Sequence, residues 1–292
     1  MKPASFKYYA RVSLEEVLTL KAQHGEDAKM LAGGQSLVPA MNFRVVQPTM
    51  LVDLNRATEL SYIREEGNVI RIGAMARERH LEFDKSIEKH VPLLHEAVPN
   101  IAHPQVRNRG TIGGSIVHAD PAAELPMLMV ALSAKLKASS STGERWIDAK
   151  DFFIGMFTTA LEPNEILTEI KIPFMPARTG WSFAEVAPRA GDYAMAGVAT
   201  SVTLAESGKC SSAKLVYLNA GDGPVDAIES AQMLVGETLS DTLMDAAANH
   251  ASEEEISPFG NMHASAEFQR HLAKMLTKQA LQKALQRAGD MQ

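Results

Sequence analysis

Two short glycine-rich segments carry the residue types that point most directly to chemistry. Residues 32–36 read Ala-Gly-Gly-Gln-Ser, and residues 107–115 read Arg-Asn-Arg-Gly-Thr-Ile-Gly-Gly-Ser and run on to Glu124. Paired glycines permit positive φ and lack Cβ atoms, so neighbouring backbone N–H groups can converge on an anion. Thr111 and Ser115 add hydroxyl donors. One such loop is more often a plain turn, but two together predict a ligand with two phosphates, held from two sides.

Other nucleotide and nucleophile motifs do not fit the sequence. There is no P-loop, since no Gly-x-x-x-x-Gly-Lys-Ser/Thr run occurs. Residues 221–223, Gly-Asp-Gly, lack the third glycine of a dinucleotide fingerprint, and neither Gly-Gly pair has the second glycine of a nucleophile elbow. Five histidines fall between residues 80 and 118 without a spacing suited to zinc. Only His118, inside the second loop, remains a candidate for ligand binding.

The composition limits the classes of protein to which the chain can belong. A chain of 292 residues predicts two or three domains, and 46% apolar with 22% charged residues is typical of globular proteins. The net charge of −6 and the lack of a basic run argue against nucleic-acid binding. Cys210 is the only cysteine, so the chain cannot form an internal disulfide or hold an iron–sulfur cluster by itself. No membrane span and no signal peptide are predicted, and a cytoplasmic location is expected.

The elements before the second loop predict an α/β arrangement. Ser13 and Glu16 form a capping box for a helix that ends near residues 24–25. Short strands flank the first loop and a helical turn, which is α/β in character. The predicted elements are strands at 29–32 and 49–54, a helical turn at 39–44, a hairpin of 60–64 with 69–73, and a helical region at 76–101.

Beyond the second loop, a helix, several strands and then further helices are predicted. In the strand 165–173, Ile166, Thr168, Ile170 and Ile172 are predicted to share one face. The predicted elements are a helix at 125–132, a strand at 135–138, three antiparallel strands at 181–186, 197–205 and 214–218, and helices at 227–235, 242–250 and 264–285.

The final predicted helix carries one apolar stripe. Phe268, Leu272, Met275 and Leu276 fall at helical spacing, so this stripe is predicted to face the core.

With both loops in view, the chain resembles the FAD-binding medium subunit of molybdenum hydroxylases, the family of carbon monoxide dehydrogenase, quinoline oxidoreductase and xanthine dehydrogenase. The resemblance implies an α+β fold. It has two α/β FAD-binding subdomains of the PCMH type, residues 1–57 and 58–176, and a C-terminal domain, residues 177–292, with a three-stranded antiparallel sheet and helices. The matching segments occur in family order at residues 32–39, 51–54, 111–115, 119–124, 162–167 and 189–194.

The resemblance also implies where FAD binds. The two loops should hold its phosphates and ribityl oxygens, Glu124 its sugar region, and Ile166, Leu167 and Tyr193 its isoalloxazine, while Ile101 takes the position beside the adenine. Ala184 stands where xanthine dehydrogenase has a flavin-contacting lysine, so no NAD⁺ acceptor site is expected. No catalytic residue or metal ligand is expected in this chain. The full set of expected FAD contacts is Ala32, Gly33, Gly34, Gln35, Ser36, Leu37, Ile101, Thr111, Gly113, Gly114, Ser115, His118, Asp120, Glu124, Ile166, Leu167 and Tyr193.

In the family, this subunit carries electrons and does not transform the organic substrate. The resemblance implies a large subunit with molybdopterin, a small subunit with two [2Fe-2S] clusters, and a dimer of heterotrimers in which electrons pass through FAD to an external acceptor. A single cysteine fits that division of labour. The alternatives are a non-catalytic nucleotide-binding or assembly protein that kept the fold, and a stand-alone flavin oxidase.

Overall fold

Three main β-sheets follow one another along the chain in the computed structural model, which describes residues 1–10 and 13–290. This arrangement of sheets and covering helices is the predicted α+β fold. The subdomain limits at 57/58 and 176/177 stay a prediction, and residues 291–292 of the predicted last domain lie outside the described residues.

The first sheet is parallel, with strand order β1-β3-β2. Ser13 caps α1 by accepting the Glu16 N–H at 3.2 Å, as its capping box predicts. A helix lies in each of the two connections between strands, as is usual for parallel pairing. The elements are β1 (Lys7–Ala10), α1 (Leu14–His24), β2 (Ala28–Leu31), α2 (Leu37–Asn42) and β3 (Met50–Asp53).

The second sheet is antiparallel, with order β4-β5-β10-β6-β7. The predicted helical region 76–101 is broken into short helices, because Asp84 caps a new helix and Pro92 starts another. Its strands are β4 (Ile63–Glu66), β5 (Val69–Gly73), β6 (Lys135–Ser140), β7 (Gly143–Asp148) and β10 (Ile166–Pro173), while β8 (Phe153–Gly155) and β9 (Thr158–Thr159) pair in a separate two-stranded sheet. The helices are α3 (Glu78–Phe83), α4 (Lys85–His90), α5 (Pro92–Ala97), α6 (Pro104–Arg107), α7 (Ile112–His118), α8 (Glu124–Ala131) and α9 (Ala149–Phe152).

An irregularity in β10 overturns the predicted single face of that strand. The register against β6 shifts between Leu167 and Glu169, so one extra residue is accommodated there. Ile166 therefore packs in the core of the first sheet, whereas Ile170 and Ile172 pack in the core of the second. The shift lets one strand contribute to both cores.

The third sheet has order β11-β12-β13-β14. It contains the three predicted long strands and, beside β13 at one edge, a fourth strand of two residues. Two short helices and one long helix follow it. The elements are β11 (Thr179–Val186), β12 (Ala196–Leu204), β13 (Cys210–Leu218), β14 (Val225–Asp226), α10 (Ile228–Gln232), α11 (Asp241–His250) and α12 (Ala266–Asp290). Within the described residues, no helix is long and apolar enough to cross a membrane.

The buried stripe of α12 differs from the predicted one. Phe268 and Met275 are 45% and 43% exposed. Leu276 is buried as predicted, but apart from it and Leu281 the buried face consists of small and polar residues, because α12 lies so close to β11 that a Cβ atom on Gly180 would stand 1.8 Å from the Ala284 carbonyl oxygen. The buried residues are Gln269, Ala273, Leu276, Thr277, Ala280, Leu281, Ala284 and Ala288.

Two features bind the three parts together. The core of the first sheet is completed by Leu60, Met75 and Ile166, which all lie beyond residue 57. On the other side, Glu96 of α5 accepts hydrogen bonds from Lys283 and Arg287 of α12. The sheets therefore share cores and ion pairs.

Candidate cofactor site

The first glycine loop presents free backbone donors. It runs from the end of β2 to the start of α2, at the carboxyl edge of the parallel sheet. Gly34 has φ +74°, a conformation that favours glycine. Among the residues that the structure describes, none accepts a hydrogen bond from the backbone N–H of Gly33, Gly34, Gln35 or Ser36. Four neighbouring donors without a protein acceptor fit an anionic ligand, as predicted.

The second loop differs from its prediction. Thr111 caps α7, and its hydroxyl accepts the Gly114 N–H at 3.1 Å. The N–H of Ile112 donates to the Ala76 carbonyl, and that of Gly113 donates to the Ala74 carbonyl. The backbone donors of this loop are thus already used within the protein. The argument from bare N–H groups holds for the first loop only, and the second loop can contribute the Thr111 and Ser115 hydroxyls.

The glycines of the second loop serve close packing. A Cβ atom on Gly113 would lie 2.6 Å from both the Cβ and the carbonyl oxygen of Ala74. On Gly114 it would lie 2.8 Å from the Thr111 hydroxyl and 3.4 Å from the Ala32 Cβ. Gly113 therefore lets α7 approach the segment after β5, and Gly114 faces the first loop.

The two loops touch each other. A Cβ atom on Gly33 would stand 2.4 Å from the Arg109 carbonyl oxygen and 2.8 Å from the Gly110 Cα. Contacts this short leave room only for glycine. The structure therefore brings together the two segments that the sequence singled out, although about 75 residues separate them along the chain.

A polar bridge that sequence reasoning missed connects the loops. Arg77 donates from Nη1 to the Arg109 carbonyl and from Nη2 to Asn55 Oδ1, the latter at 2.6 Å. Asn55 Nδ2 in turn donates to the Ala32 carbonyl at 2.9 Å. No local sequence signal marks these residues, because the bridge joins three distant segments.

His118 and Asp120 lie at the end of α7. The ring centroids of His118 and Phe157 are 5.1 Å apart. Burial lowers the pKa of His118; the charge of Asp120 opposes this effect and that of Lys29 adds to it. Asp120 Oδ1 accepts the Ala122 N–H at 2.9 Å. Since Lys29 belongs to β2, His118 lies on the side of the second loop that faces the first.

Glu124 is the centre of a group of buried carboxyls. It is 8% exposed, and burial raises its pKa to about 7, with the charge of Asp120 adding to the effect. Burial likewise raises the pKa of Glu78 and of Glu185 to about 8, and in both cases the charge of Glu124 is a second cause. One buried oxygen of Glu78 and one of Glu185 have no hydrogen-bond partner among the described residues. These carboxyls fit a ligand that carries hydroxyl groups.

Tyr193 lies near this acidic group. Its side chain is 65% exposed, and its hydroxyl group is close enough to Asp120 and Glu124 that, after desolvation, their charges raise its pKa. Gly191, with φ +84°, holds the turn against His103, because a Cβ atom there would overlap the imidazole ring at 2.3 Å. The turn before Tyr193 is therefore fixed to the segment that follows Ile101.

The remaining predicted residues have different surroundings. Ile101, Ile166 and Leu167 are buried in the apolar cores. Gln35 and Ser36 are exposed, and Leu37 is half-buried. No cluster of potential metal ligands occurs in residues 1–10 and 13–290. The donors of the first loop and the unpaired carboxyl oxygens together fit a ligand that has both phosphates and sugar hydroxyls, as FAD does.

Comparison with protein families gives two matches that cover most of the chain. Residues 4–175 match the FAD binding domain in molybdopterin dehydrogenase. Residues 181–284 match the CO dehydrogenase flavoprotein C-terminal domain.

Individual relatives match over nearly their whole length. The chain is 44% identical to the 6-hydroxypseudooxynicotine dehydrogenase complex subunit alpha of Paenarthrobacter nicotinovorans, over 99% of this chain and 97% of that protein. It is 38% identical to the carbon monoxide dehydrogenase medium chain of Hydrogenophaga pseudoflava, over 99% of this chain and 100% of that protein. Among solved structures, quinoline 2-oxidoreductase from Pseudomonas putida 86 matches with a TM-score of 0.93 and 37% identity, with 100% of both chains covered.

Proposed function

The chain belongs to the family of FAD-binding medium subunits of molybdenum hydroxylases, and from this premise we propose that it passes electrons from the [2Fe-2S] clusters of a small subunit through FAD to an external acceptor. It is the flavoprotein part of an oxidoreductase, with FAD as its cofactor. The molybdenum and iron–sulfur centres belong to other subunits.

One observation carries the proposal for where FAD binds. Four adjacent backbone N–H groups of the first loop, Gly33 to Ser36, have no acceptor in the described part of the chain, and Gly33 packs against the second loop. We infer that these donors and the Thr111 and Ser115 hydroxyls hold the pyrophosphate. Glu124 then accepts from the cofactor's sugar hydroxyls, since no described residue places a cation beside its buried carboxyl.

The isoalloxazine is proposed to lie between Tyr193 and the β10 start at Ile166 and Leu167. Tyr193 is exposed enough to cover a ring face and stands near Glu124. Ile101 is proposed for the adenine side. When bound, FAD supplies the electron-transfer chemistry, while these residues bind it, orient it and limit the access of water.

The partner assembly follows from what the chain lacks. With one cysteine in 292 residues, this chain cannot hold the clusters itself, which supports a route in which electrons reach FAD from another subunit. We propose a small [2Fe-2S] subunit and a large molybdopterin subunit, arranged as a dimer of heterotrimers. A cytoplasmic location is proposed, because free thiols that ligate clusters persist in a reducing compartment.

Flavin reduction in the assembled complex tests the proposal. The purified chain should be yellow and contain about one FAD per chain. In a complex with both partners, the organic substrate should bleach the flavin band; in a matched preparation without the small subunit, it should not. If the organic substrate reduced the flavin of the isolated chain as fast as that of the full complex, the proposed electron route would be contradicted. A chain that binds no FAD would contradict the proposed site.

A further inference from the structure

Arg77 is linked to both sides of the two-loop junction, directly on the side of the second loop and through Asn55 on the side of the first. Through Nη1 it donates to the carbonyl of Arg109, just before Gly110. Through Nη2 it reaches Asn55, whose Nδ2 donates to the carbonyl of Ala32, just before Gly33. Arg77 and Asn55 together thus connect the residues that immediately precede Gly33 and Gly110.

We propose that Arg77 is a positioning residue for the FAD pyrophosphate: it fixes the spacing of the two glycine loops and leaves a positive charge between them. The inference rests on the proposed placement of FAD at these loops. It adds a residue that neither the loop motifs nor the family resemblance indicates.

The orientation of Asn55 makes the bridge specific. Its backbone N–H and its Nδ2 both donate to Asp53 Oδ1, at 2.8 and 2.5 Å, and Nδ2 also donates to the Ala32 carbonyl. With the amide nitrogen committed to two acceptors, Oδ1 is the atom left to accept from Arg77. Asn55 follows β3, so the bridge ties the first loop to the neighbouring strand end as well.

The charge of Arg77 is not neutralised by contact. Its guanidinium is partly buried, and in the described residues no carboxylate lies within ion-pair distance of it. Burial lowers its pKa, with nearby Arg109 adding to the effect and Asp53 and Glu78 opposing it. Glu78 keeps its proton at neutral pH, because its pKa is raised to about 8. Two guanidinium groups and one ionised carboxylate therefore surround the junction, which favours an anion there.

FAD titrations at low and high salt test the inference. Arg77→Met keeps the aliphatic length but removes the charge and both donors, so we expect its Kd for FAD to rise roughly tenfold or more, the effect of losing a charge-assisted hydrogen bond. Its Kd should also depend less on salt, because one attractive charge is gone. Arg77→Lys keeps the charge but cannot bridge two acceptors in a fixed fork. Its Kd for FAD should therefore lie between those of the wild type and Arg77→Met, and the salt dependence should be that of the wild type.

Arg79→Met is the matched control. Arg79 lies two residues further along, on α3, and donates to Glu82 at 3.0 Å instead of to the carbonyls that precede Gly33 and Gly110. Its Kd for FAD should stay within about twofold of the wild type, as for surface substitutions.

The outcomes separate the inference from the proposed function. Wild-type FAD affinity and salt dependence in Arg77→Met would overturn the inference while leaving FAD binding intact. If Arg77→Met does not fold, Arg77→Lys decides, and wild-type affinity in that variant would overturn the bridging role. A wild-type chain that binds no FAD would instead refute the proposed site.

Discussion

At the scale of single residues, Gly33, Gly34 and Gly113 are glycines for different physical reasons. Gly34 adopts a positive φ. At Gly33 a Cβ atom would clash with the backbone of the other loop, and at Gly113 it would clash with Ala74. Sequence pattern treats all of them as phosphate-loop glycines. The structure separates those that shape the site from those that hold the fold together.

A pair of alanine substitutions should show this separation. Gly113→Ala places a Cβ atom 2.6 Å from the Ala74 backbone, which must move, so we expect a loss of about 1–3 kcal/mol in the free energy of unfolding. Gly114→Ala meets no backbone atom, only the Thr111 hydroxyl at 2.8 Å and the Ala32 Cβ at 3.4 Å, so it should fold nearly normally but bind FAD more weakly. Urea unfolding and FAD titration measure the two effects. A more stable Gly113→Ala than Gly114→Ala would contradict this assignment.

Glu78 should make the stability of the FAD-free chain depend on pH. Its folded pKa of about 8 lies above the ordinary value of 4.5. Below pH 4.5 the side chain is protonated in both the folded and the unfolded chain, so its burial is not penalised by charge. As the pH rises from 4.5 towards 8, the unfolded chain releases the proton while the folded chain keeps it, and the free energy of unfolding falls. Between pH 5 and 9 the loss should be on the order of 2–4 kcal/mol, and Glu78→Gln should remove it.

Glu82→Gln is the control for the pH experiment. The pKa of Glu82 is lowered, through its hydrogen bonds and ion pairs with Arg107 and Arg79 and against the effect of burial. This group therefore contributes stability at neutral pH that is lost on acidification, the opposite sign. Urea midpoints measured from pH 5 to 9 compare the three proteins. Parallel curves for the wild type and Glu78→Gln would show that Glu78 is ionised when folded.

At the scale of elements, the approach of α12 to β11 depends on one glycine. A Cβ atom on Gly180 would stand 1.8 Å from the Ala284 carbonyl oxygen and 2.5 Å from the Ala288 nitrogen. Gly180→Ala must move the helix, so we expect at least about 3 kcal/mol of destabilisation, the upper end for overpacking. Gly155→Ala, with no atom within 4 Å of the new Cβ, should be nearly neutral. Equal thermal midpoints in these two variants would mean that α12 adapts freely.

Local sequence signals predicted the elements well where the cause is local. The Ser13 capping box and the alternation around residues 65–68 gave a helix and a hairpin close to their observed positions. Local signals gave wrong predictions where packing against a distant segment determines the structure. The shift in β10 depends on its pairing with β6, and the small-residue face of α12 depends on β11. For the same reason the loops were predicted, but Arg77, Asn55 and Glu78 were not.

At the scale of the whole molecule, the sheets are not independent bodies. The first sheet completes its core with Leu60, Met75 and Ile166. A fragment of residues 1–57 lacks these side chains and should remain largely unfolded, since a domain of that size is marginal even with an intact core. Circular dichroism of that fragment, compared with residues 1–175, checks the expectation. A cooperative thermal transition in the short fragment would contradict it.

The shared core also has a consequence for synthesis on the ribosome. The first glycine loop emerges early, yet the strand that supplies Ile166 is translated more than 100 residues later. Domains that fold as units usually do so as soon as they leave the ribosome. Here the N-terminal sheet completes its core only after β10 has been made, so we expect its apolar faces to stay exposed until then. The loop proposed to receive FAD is thus among the first parts translated but is expected to be among the later ones to take shape.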